Sequence, residues 1–460
     1  MNIREKLIIK NFLSINDFEW DIKGFNVLTG GMASGKSLAL KLLHFCELIF
    51  RYTVFDTSIN KELFQGDNFL KKINEEFAKI FISRNHESDY SNTKIIYSFE
   101  YNIQHGQLLL DEEIPTTEQP EFDMSTTIVF DLTAIWNKTS KQLQWSSKYI
   151  ESKLDTWQTF FDEQNTPELI ERVRTRVFES IASDFSNSFP LSAMFIPASR
   201  AIVAITSKII SRDPFIDELM NLKEYALSFN DIGGISSNEV NKILQFDNIS
   251  IDNEKDKQPV FKLSNGRSIS SLELSSGQQE LLYLLLLIDD LKRTNFTYGF
   301  NASIFIEEPS SHLFPKEQKD TVEFLVTIFN ELQKKRGNTL GHRFFISTHS
   351  PYVLNTINNL LEKERLLKVV EKIDDPKIKK SIINEIEALP FPYLSINNIS
   401  AYMIEENGYL KSMINNDDDE PYIYSEVIDR ISYVITEGTD KLSSLNSQIK
   451  NAIRHNKEVK

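Results

Sequence analysis

The sequence predicts an α/β fold with a phosphate-binding loop in its core, an antiparallel β subdomain and a helical insertion. Residues 25–29 have the apolar composition of a short strand, a glycine-rich loop follows, and residues 38–50 have the pattern of a helix. Two later apolar runs, 302–306 and 343–347, have the length and composition of buried parallel strands. The chain of 460 residues, 41% of them hydrophobic, can bury such a core in two or three structural units.

The loop after the first strand fits a phosphate-binding pattern of two glycines, separated by four residues, followed by Lys and Ser. Its backbone N–H groups and the positive end of the following helix would face a polyphosphate. Lys36 would offer a charge to the outer phosphates, and Ser37 would hold magnesium. Because strand, loop and helix agree, we expect nucleotide binding here. The predicted binding residues are Gly30, Gly31, Met32, Ala33, Ser34, Gly35, Lys36 and Ser37.

Composition and charge restrict the partners and the location of the chain. The formal charge of −15 repels nucleic acid on average, although folding or dimerisation could still assemble a local basic patch. Cys46 is the only cysteine, which excludes an internal disulfide and a cysteine metal site. No signal peptide is visible, and the longest apolar run, 281–288, is too short to span a bilayer. We therefore expect a cytoplasmic protein without a membrane partner.

Changes of pattern along the chain predict its organisation. Residues 5–29 alternate as an antiparallel pair that leads into the loop strand, and residues 94–110 and 126–145 each have the pattern of a hairpin. Between the pair and the hairpins, residues 56–85 have helical spacing. We predict a core in two lobes at 1–55 and 190–410, an inserted helical and antiparallel β segment at 56–189, and a C-terminal helical extension at 411–460.

A second motif follows an Asn-Gly turn at 265–266 that predicts a hairpin. Its residues are Ser275, Ser276, Gly277 and Gln278, and an apolar helix continues from them. Hydroxyl groups and backbone N–H groups at a helix N-terminus suit a γ-phosphate. The motif resembles the ABC signature LSGGQ, with a serine in place of one glycine, a small-for-small change that still allows close backbone approach. An ordinary serine N-cap is the alternative interpretation.

The two later strands end in polar residues. The first is followed by Glu307 and Glu308 and resembles a Walker B segment with its adjoining catalytic glutamate. The resemblance implies that Glu307 holds magnesium and that Glu308 polarises the attacking water. The second strand is followed by His349, which resembles the switch histidine that contacts a γ-phosphate. A solvated Glu pair and a structural histidine are the alternative interpretations.

The order of phosphate-binding loop, signature, Walker B segment and switch histidine resembles that of an ABC-type ATPase head with a RecA-like P-loop core. Residues 195–200 and 307–315 are similar to the RecF/SMC/OLD-like group, particularly to the AAA-type ATPases of bacterial anti-phage defence systems. The resemblance implies ATP and Mg²⁺ as cofactors, with Lys36, Glu308 and His349 in catalysis. It also implies a head-to-tail dimer or higher oligomer that sandwiches ATP, acting with a separate effector, possibly a nuclease.

The sequence departs from the family pattern at two places. Phe314 stands where the D-loop of the family ends in Asp, so communication between paired sites would use other groups, and we assign no Q-loop glutamine.

A RecF/SMC-like DNA-binding repair or maintenance ATPase is the alternative function, which DNA-stimulated hydrolysis would distinguish. A transporter ATPase subunit fits less well because of the long insertion and Glu307.

Overall fold

The computed structural model describes the core motifs and parts of the remaining chain. The described residues are 3–56, 73–75, 77–82, 90–105, 124–137, 142–151, 192–198, 234–235, 238–244, 248–251, 260–262, 266–270, 273–298, 302–334, 342–415 and 422–423. Of the predicted helical stretch at 56–85, residues 73–75 and 77–82 are helical and most of the rest lies outside the described residues. The division into a two-lobed core at 1–55 and 190–410 and an insertion at 56–189 stays a prediction.

A six-stranded sheet forms the core of the fold. Its strands are β3 (Phe25–Gly30), β7 (Ser192–Ile196), β12 (Ala302–Glu307), β13 (Arg343–Thr348), β14 (Ile399–Ile404) and β15 (Leu410–Ser412). They are ordered β15-β14-β3-β13-β12-β7, and all neighbours are parallel except β14 and β15. Every residue of β3, β12 and β13 is buried, as expected for apolar strands covered on both faces. The α/β class and the parallel strands are therefore confirmed.

A second sheet of five antiparallel strands lies beside this core. Its strands are β1 (Ile3–Phe12), β2 (Ile15–Asp21), β4 (Lys94–His105), β5 (Met124–Asn137) and β6 (Gln142–Glu151), in the order β2-β1-β4-β5-β6. The antiparallel subdomain, the first strand pair and the hairpin at 126–145 are confirmed. The hairpin predicted within 94–110 stays a prediction, because residues 106–110 lie outside the described residues; β4 itself pairs with β1 and β5.

Helix α1 (Lys36–Asp56) joins the two sheets. Its apolar residues, such as Leu40 and Cys46, belong to one buried cluster with residues from both sheets. Within this cluster the rings of Trp20 on β2 and Phe345 on β13 meet edge to face, with centroids 5.8 Å apart. Burial of these apolar side chains between the two sheets thus fixes the helix that begins with Lys36.

The opposite face of the core sheet is covered by helices. The other named α-helices of the described residues are α2 (Asn238–Leu244), α3 (Ser276–Tyr298), α4 (Pro315–Lys334), α5 (Pro351–Val370) and α6 (Pro376–Glu387). Residues 281–288 of α3 are all buried, because a helix segment that is apolar on all sides must be enclosed. No helix among the described residues is long and apolar enough to cross a membrane.

A small antiparallel sheet precedes α3. Its strands are β8 (Gly234–Ile235), β9 (Asn248–Ile251), β10 (Val260–Lys262) and β11 (Ser268–Ser270), ordered β11-β10-β9-β8. The hairpin predicted around the Asn-Gly turn is confirmed, since β10 pairs with β11 and Gly266 has a φ of +77°. This hairpin leads directly into the signature segment.

A buried charged cluster connects the first strand, α1 and the core sheet. The Arg343 guanidinium contacts the carboxylates of Glu5 and Glu47 and donates a hydrogen bond of 3.2 Å to the Ser303 hydroxyl. The Tyr97 hydroxyl donates to the Glu5 carboxylate at 2.6 Å. Burial lowers the pKa of Arg343 to about 9. Charged groups enclosed in this way need partners, so the cluster fixes the position of β13 relative to β1 and α1.

The C-terminal strands close the fold against its beginning. β14 and β15 form a hairpin around the Asn-Gly turn at 407–408, where Gly408 has a φ of +77°. The Gly408 carbonyl accepts a hydrogen bond of 2.9 Å from the N–H of Asn16, at the start of β2. The predicted helical extension at 411–460 lies largely outside the described residues and stays a prediction; within 411–415 and 422–423 the structure has the end of β15 and a bridge between Ile414 and Ile423.

Candidate functional site

The structure brings three predicted catalytic residues together at the carboxyl edge of the core sheet. Lys36 follows β3, Glu308 follows β12 and His349 follows β13. β13 lies between β3 and β12 and runs parallel to both, so the three strands deliver their following residues to one edge. Loops at the carboxyl ends of parallel strands are a general location for ligand sites. The candidate site is therefore built from parallel-strand topology.

The predicted phosphate-binding loop has the backbone conformation that its glycines permit. Gly30 has a φ of +147° and Gly35 one of +107°. A Cβ atom at Gly30 would lie 2.5 Å from the Ile404 carbonyl oxygen, and one at Gly35 would lie 2.8 Å from the Ser14 hydroxyl. Residues with a side chain would therefore distort the loop at both positions. Met32, between them, is 92% exposed.

Lys36 folds back over this loop. Its Nζ donates to the carbonyl oxygens of Gly30, at 2.9 Å, and Gly31, at 2.8 Å. Burial lowers the pKa of Lys36 below its ordinary value, and the negative charge of Glu308 opposes part of that shift. The ammonium is thus held at the first turn of α1, where the helix N-terminus adds positive potential. This arrangement suits an anionic ligand.

Glu308 lies between Lys36 and His349. One carboxylate oxygen is 4.0 Å from Lys36 Nζ. The other oxygen is 2.8 Å from His349 Nδ1 and also accepts a hydrogen bond of 3.3 Å from the backbone N–H of His349. The backbone of Glu308 has a φ of +45°, and its N–H donates to the Ser347 carbonyl at 2.9 Å. A left-handed conformation at a residue other than glycine costs energy, and the fixed backbone bond supports it. This backbone bend positions the carboxylate.

Glu307 points to a different neighbour. It is buried, and its Oε2 accepts a hydrogen bond of 3.2 Å from the N–H of Ala198, just after β7. Ser37 is exposed in the first turn of α1. A carboxylate and a hydroxyl are hard oxygen donors of the kind that Mg²⁺ prefers, so the donor set fits the predicted metal. The assignment of Ser37 and Glu307 as its ligands stays a prediction.

The signature residues form the start of α3. The Ser275 hydroxyl accepts from the Gln278 N–H at 3.4 Å, while the Gln278 side-chain oxygen accepts from the Ser275 N–H at 3.2 Å. This reciprocal pair is a capping box, so the N-cap interpretation describes the local structure. Ser275 and Ser276 are exposed, which leaves them accessible to a ligand. The capping role and a phosphate-binding role are compatible.

The signature lies beside the loop that follows Glu308. A Cβ atom at Gly277 would lie 2.7 Å from the His312 carbonyl oxygen, so only glycine permits this approach. The His312 Nε2 is 3.7 Å from a carboxylate oxygen of Glu280, one turn along α3. Within the part of the chain that the structure describes, the hydrogen bonds of Ser275 and Gln278 stay in the cap or reach Leu244, and none reaches the Lys36 loop.

Phe314, at the same edge, is 80% exposed. One further feature had no clear signal in the sequence. The side chain of Gln318 in α4 contacts both Leu313 and Ser350, which follow Glu308 and His349 along the chain. A polar residue early in a helix is too common to be selected from sequence. Only the folded arrangement shows what it connects.

The comparisons with known proteins agree with a nucleotide-binding chain. The family described as AAA ATPase domain matches residues 1–354. No curated protein matches the chain.

Three solved structures are similar to this chain at low sequence identity. An SMC head bound to the C-winged helix domain of ScpA is 12% identical, covers 77% of this chain and 91% of its own, and has a TM-score of 0.33. The SMC head domain from Thermotoga maritima is 13% identical, covers 77% of this chain and 92% of its own, and has a TM-score of 0.31. The recombination mediator protein RecF of the RecFOR pathway is 10% identical, covers 90% of this chain and 98% of its own, and has a TM-score of 0.30.

Proposed function

Because the chain belongs to the AAA ATPase domain family, we propose that it binds Mg-ATP at the loop from Gly30 to Ser37 and hydrolyses it with the help of Glu308. The observation that carries this proposal is the contact of Glu308 with both Lys36 and His349 at one edge of the core sheet. In this proposal Lys36 binds the outer phosphates, and Ser37 and Glu307 hold magnesium, which neutralises phosphate charge when bound. Glu308 accepts a proton from the attacking water.

His349 has a supporting role in this proposal. Its Nδ1 contact with Glu308 orients the carboxylate, and the ring is exposed enough to reach a bound γ-phosphate. Which ring nitrogen carries the proton decides whether the imidazole donates to Glu308 or to the phosphate. In this proposal, loss of the γ-phosphate changes the hydrogen bonds of the His349 imidazole, and this change is passed to β13, the strand that His349 follows.

We further propose that two chains pair head to tail around two ATP molecules. In such a pair the signature of one chain covers the nucleotide of the other. Support comes from the exposure of Ser275 and Ser276 at a helix N-terminus, and from their placement beside the Glu308 loop. ATP would then join the two chains, and its hydrolysis would release them.

Replacement of Ser275 by Arg tests the pairing. We expect the variant to bind Mg-ATP with an affinity near that of the wild type but to remain monomeric, because the bulky cation obstructs the partner's nucleotide. Equilibrium binding of a fluorescent ATP analogue and sedimentation velocity separate the two steps. Ser412→Arg is a matched control, because it places the same cation on an exposed serine of β15, outside the signature, and it should bind Mg-ATP and pair as the wild type does. Loss of nucleotide binding together with pairing would contradict the proposal.

For the biological role, we propose the ATPase or sensor component of a bacterial anti-phage defence system that acts with a separate effector. This rests on the sequence resemblance of residues 307–315. Native pull-down with mass spectrometry tests it, and we expect a second protein at fixed stoichiometry, such as a nuclease. Recovery of DNA instead, together with DNA-stimulated ATP turnover, would favour the RecF/SMC-like repair or maintenance role. A membrane permease would indicate a transporter ATPase subunit.

A further inference from the structure

Gln318 connects two segments of the candidate site through the two ends of one side-chain amide. Its Nε2 donates to the Leu313 carbonyl at 2.8 Å, and its Oε1 accepts from the Ser350 hydroxyl at 2.5 Å. The residue lies half-buried in the first turns of α4, and its own N–H donates to the Phe314 carbonyl at 3.0 Å. Its backbone is therefore fixed while its side chain bridges the two segments.

The two segments are the continuations of the residues proposed to act on ATP. Leu313 ends the loop that begins at Glu308, and this loop is braced by the N–H of Ser311, which donates to the Glu308 carbonyl at 3.1 Å. Ser350 directly follows His349, and its N–H donates to the Thr348 hydroxyl at 3.0 Å. A displacement of Leu313 relative to Ser350 would therefore move Glu308 relative to His349.

The Glu308 loop is also contacted by the start of α3. The start of α3 approaches it at Gly277, where no side chain fits, and Glu280 lies near His312. The end of the loop is therefore contacted by α3 at His312 and bonded by Gln318 at Leu313. The amide of Gln318 then determines where the segment after β13 lies with respect to the loop.

We propose that Gln318 is a positioning residue for hydrolysis, holding the Glu308 carboxylate and the His349 imidazole at their 2.8 Å contact. This inference rests on the proposed ATPase function. The role requires a donor for Leu313 and an acceptor for Ser350 on one side chain, which an amide provides. A glutamate at this position keeps the acceptor and loses the donor, and a leucine loses both. The bonds of the Gln318 amide go to Leu313 and Ser350, so the role that we assign to it is exerted through these two neighbours.

The test compares Gln318→Leu, Gln318→Glu, Ser350→Ala and the double variant Gln318→Leu/Ser350→Ala. We expect Gln318→Leu to lower kcat about 10-fold while the Kd of an ATP analogue changes less than about 2-fold, because misplacement affects the transition state more than nucleotide binding. Gln318→Glu and Ser350→Ala each lose one of the two bonds and should lie between wild type and Gln318→Leu. The double variant should be no slower than Gln318→Leu, since both changes break the same connection.

Gln333→Leu is the matched control. Gln333 lies near the other end of α4 and its Nε2 donates to the His342 carbonyl at 2.8 Å, so the change removes an equivalent glutamine-to-carbonyl bond away from the site. We expect its kcat and Kd to match those of the wild type. An equal fall of kcat in Gln333→Leu would mean that Gln318 matters only for the stability of the helix.

Amide hydrogen exchange makes the test independent of turnover. In Gln318→Leu we expect faster exchange in both 309–314 and 348–352, and no such change in Gln333→Leu. The inference is overturned by wild-type kcat in Gln318→Leu, by additive effects in the double variant, or by unchanged exchange in both segments. If the wild-type chain itself has no ATP turnover, the proposed function fails, and the paired exchange result alone decides on Gln318.

Discussion

Replacement of Glu308 by Gln is expected to slow ATP hydrolysis by about 10²–10⁴-fold, the loss typical of a removed general base. The amide keeps the shape of the side chain, and its oxygen can still accept a hydrogen bond from the backbone N–H of His349. In the wild type this N–H donates to the carboxylate at 3.3 Å. The backbone bond of Glu308 to Ser347 is untouched by the change. The variant should therefore bind Mg-ATP, accumulate as an ATP-bound pair of chains and turn over slowly.

Glu307→Gln is the informative comparison, because the two residues are neighbours of the same type. Glu307 accepts a hydrogen bond from the N–H of Ala198. We therefore expect Glu307→Gln to weaken the dependence of ATP turnover on magnesium, whereas Glu308→Gln removes the general base. Single-turnover rates, magnesium titrations and the mass of the ATP-bound species distinguish the two variants. An active Glu308→Gln protein, or the two phenotypes interchanged, would reject the assignment of roles.

Lys36→Ala is expected to abolish ATP binding or hydrolysis. In the proposed site the Lys36 ammonium is the cation offered to the outer phosphates, and bonds to the Gly30 and Gly31 carbonyls hold it within the loop. Alanine removes this charge and leaves the acidic Glu308 without its nearby cation. Binding of a fluorescent ATP analogue and phosphate release measure the two effects.

Lys41→Ala serves as the control for Lys36→Ala, since it removes a lysine from the same helix beyond the loop. It should keep nucleotide binding and turnover. Thermal unfolding of both variants shows whether the lost bonds to Gly30 and Gly31 also destabilise the fold. Normal turnover in a folded Lys36→Ala protein would remove the basis for placing ATP at this loop.

Local patterns were sufficient to predict the elements that carry the candidate site. The strand before Lys36, the capped helix at Ser275, and the buried strands before Glu308 and His349 each have a sequence signal only a few residues long. Helix α6 was not predicted, because its lysines gave a polar composition and only Ile386 is fully buried. Asp375 and Pro376 did mark its start, as N-cap and first helical residue.

Long-range connections could not be predicted in the same way. The pairing of β4 with β5 depends on which strand edges are free after β1 has joined, and the sequence of β4 does not contain that information. The same holds for Gln318 and Ser350, whose contact depends on the placement of α4 beside β13. The cluster of Arg343 with Glu5 and Glu47 also joins residues from opposite ends of the chain.

The position of β3 in the core sheet has a consequence for synthesis on the ribosome. Thr29 pairs with Thr348 on one side and with Met403 on the other, so the strand before Lys36 obtains its neighbours only from residues made much later. At about 5–20 residues per second, the early strand waits tens of seconds for these partners. Such late pairing is slow and exposes strand edges to aggregation in the meantime. A nascent chain therefore contains the residues of the Lys36 loop well before the loop can take its folded conformation, and we expect chaperone contacts with the unfinished chain at residues 25–30.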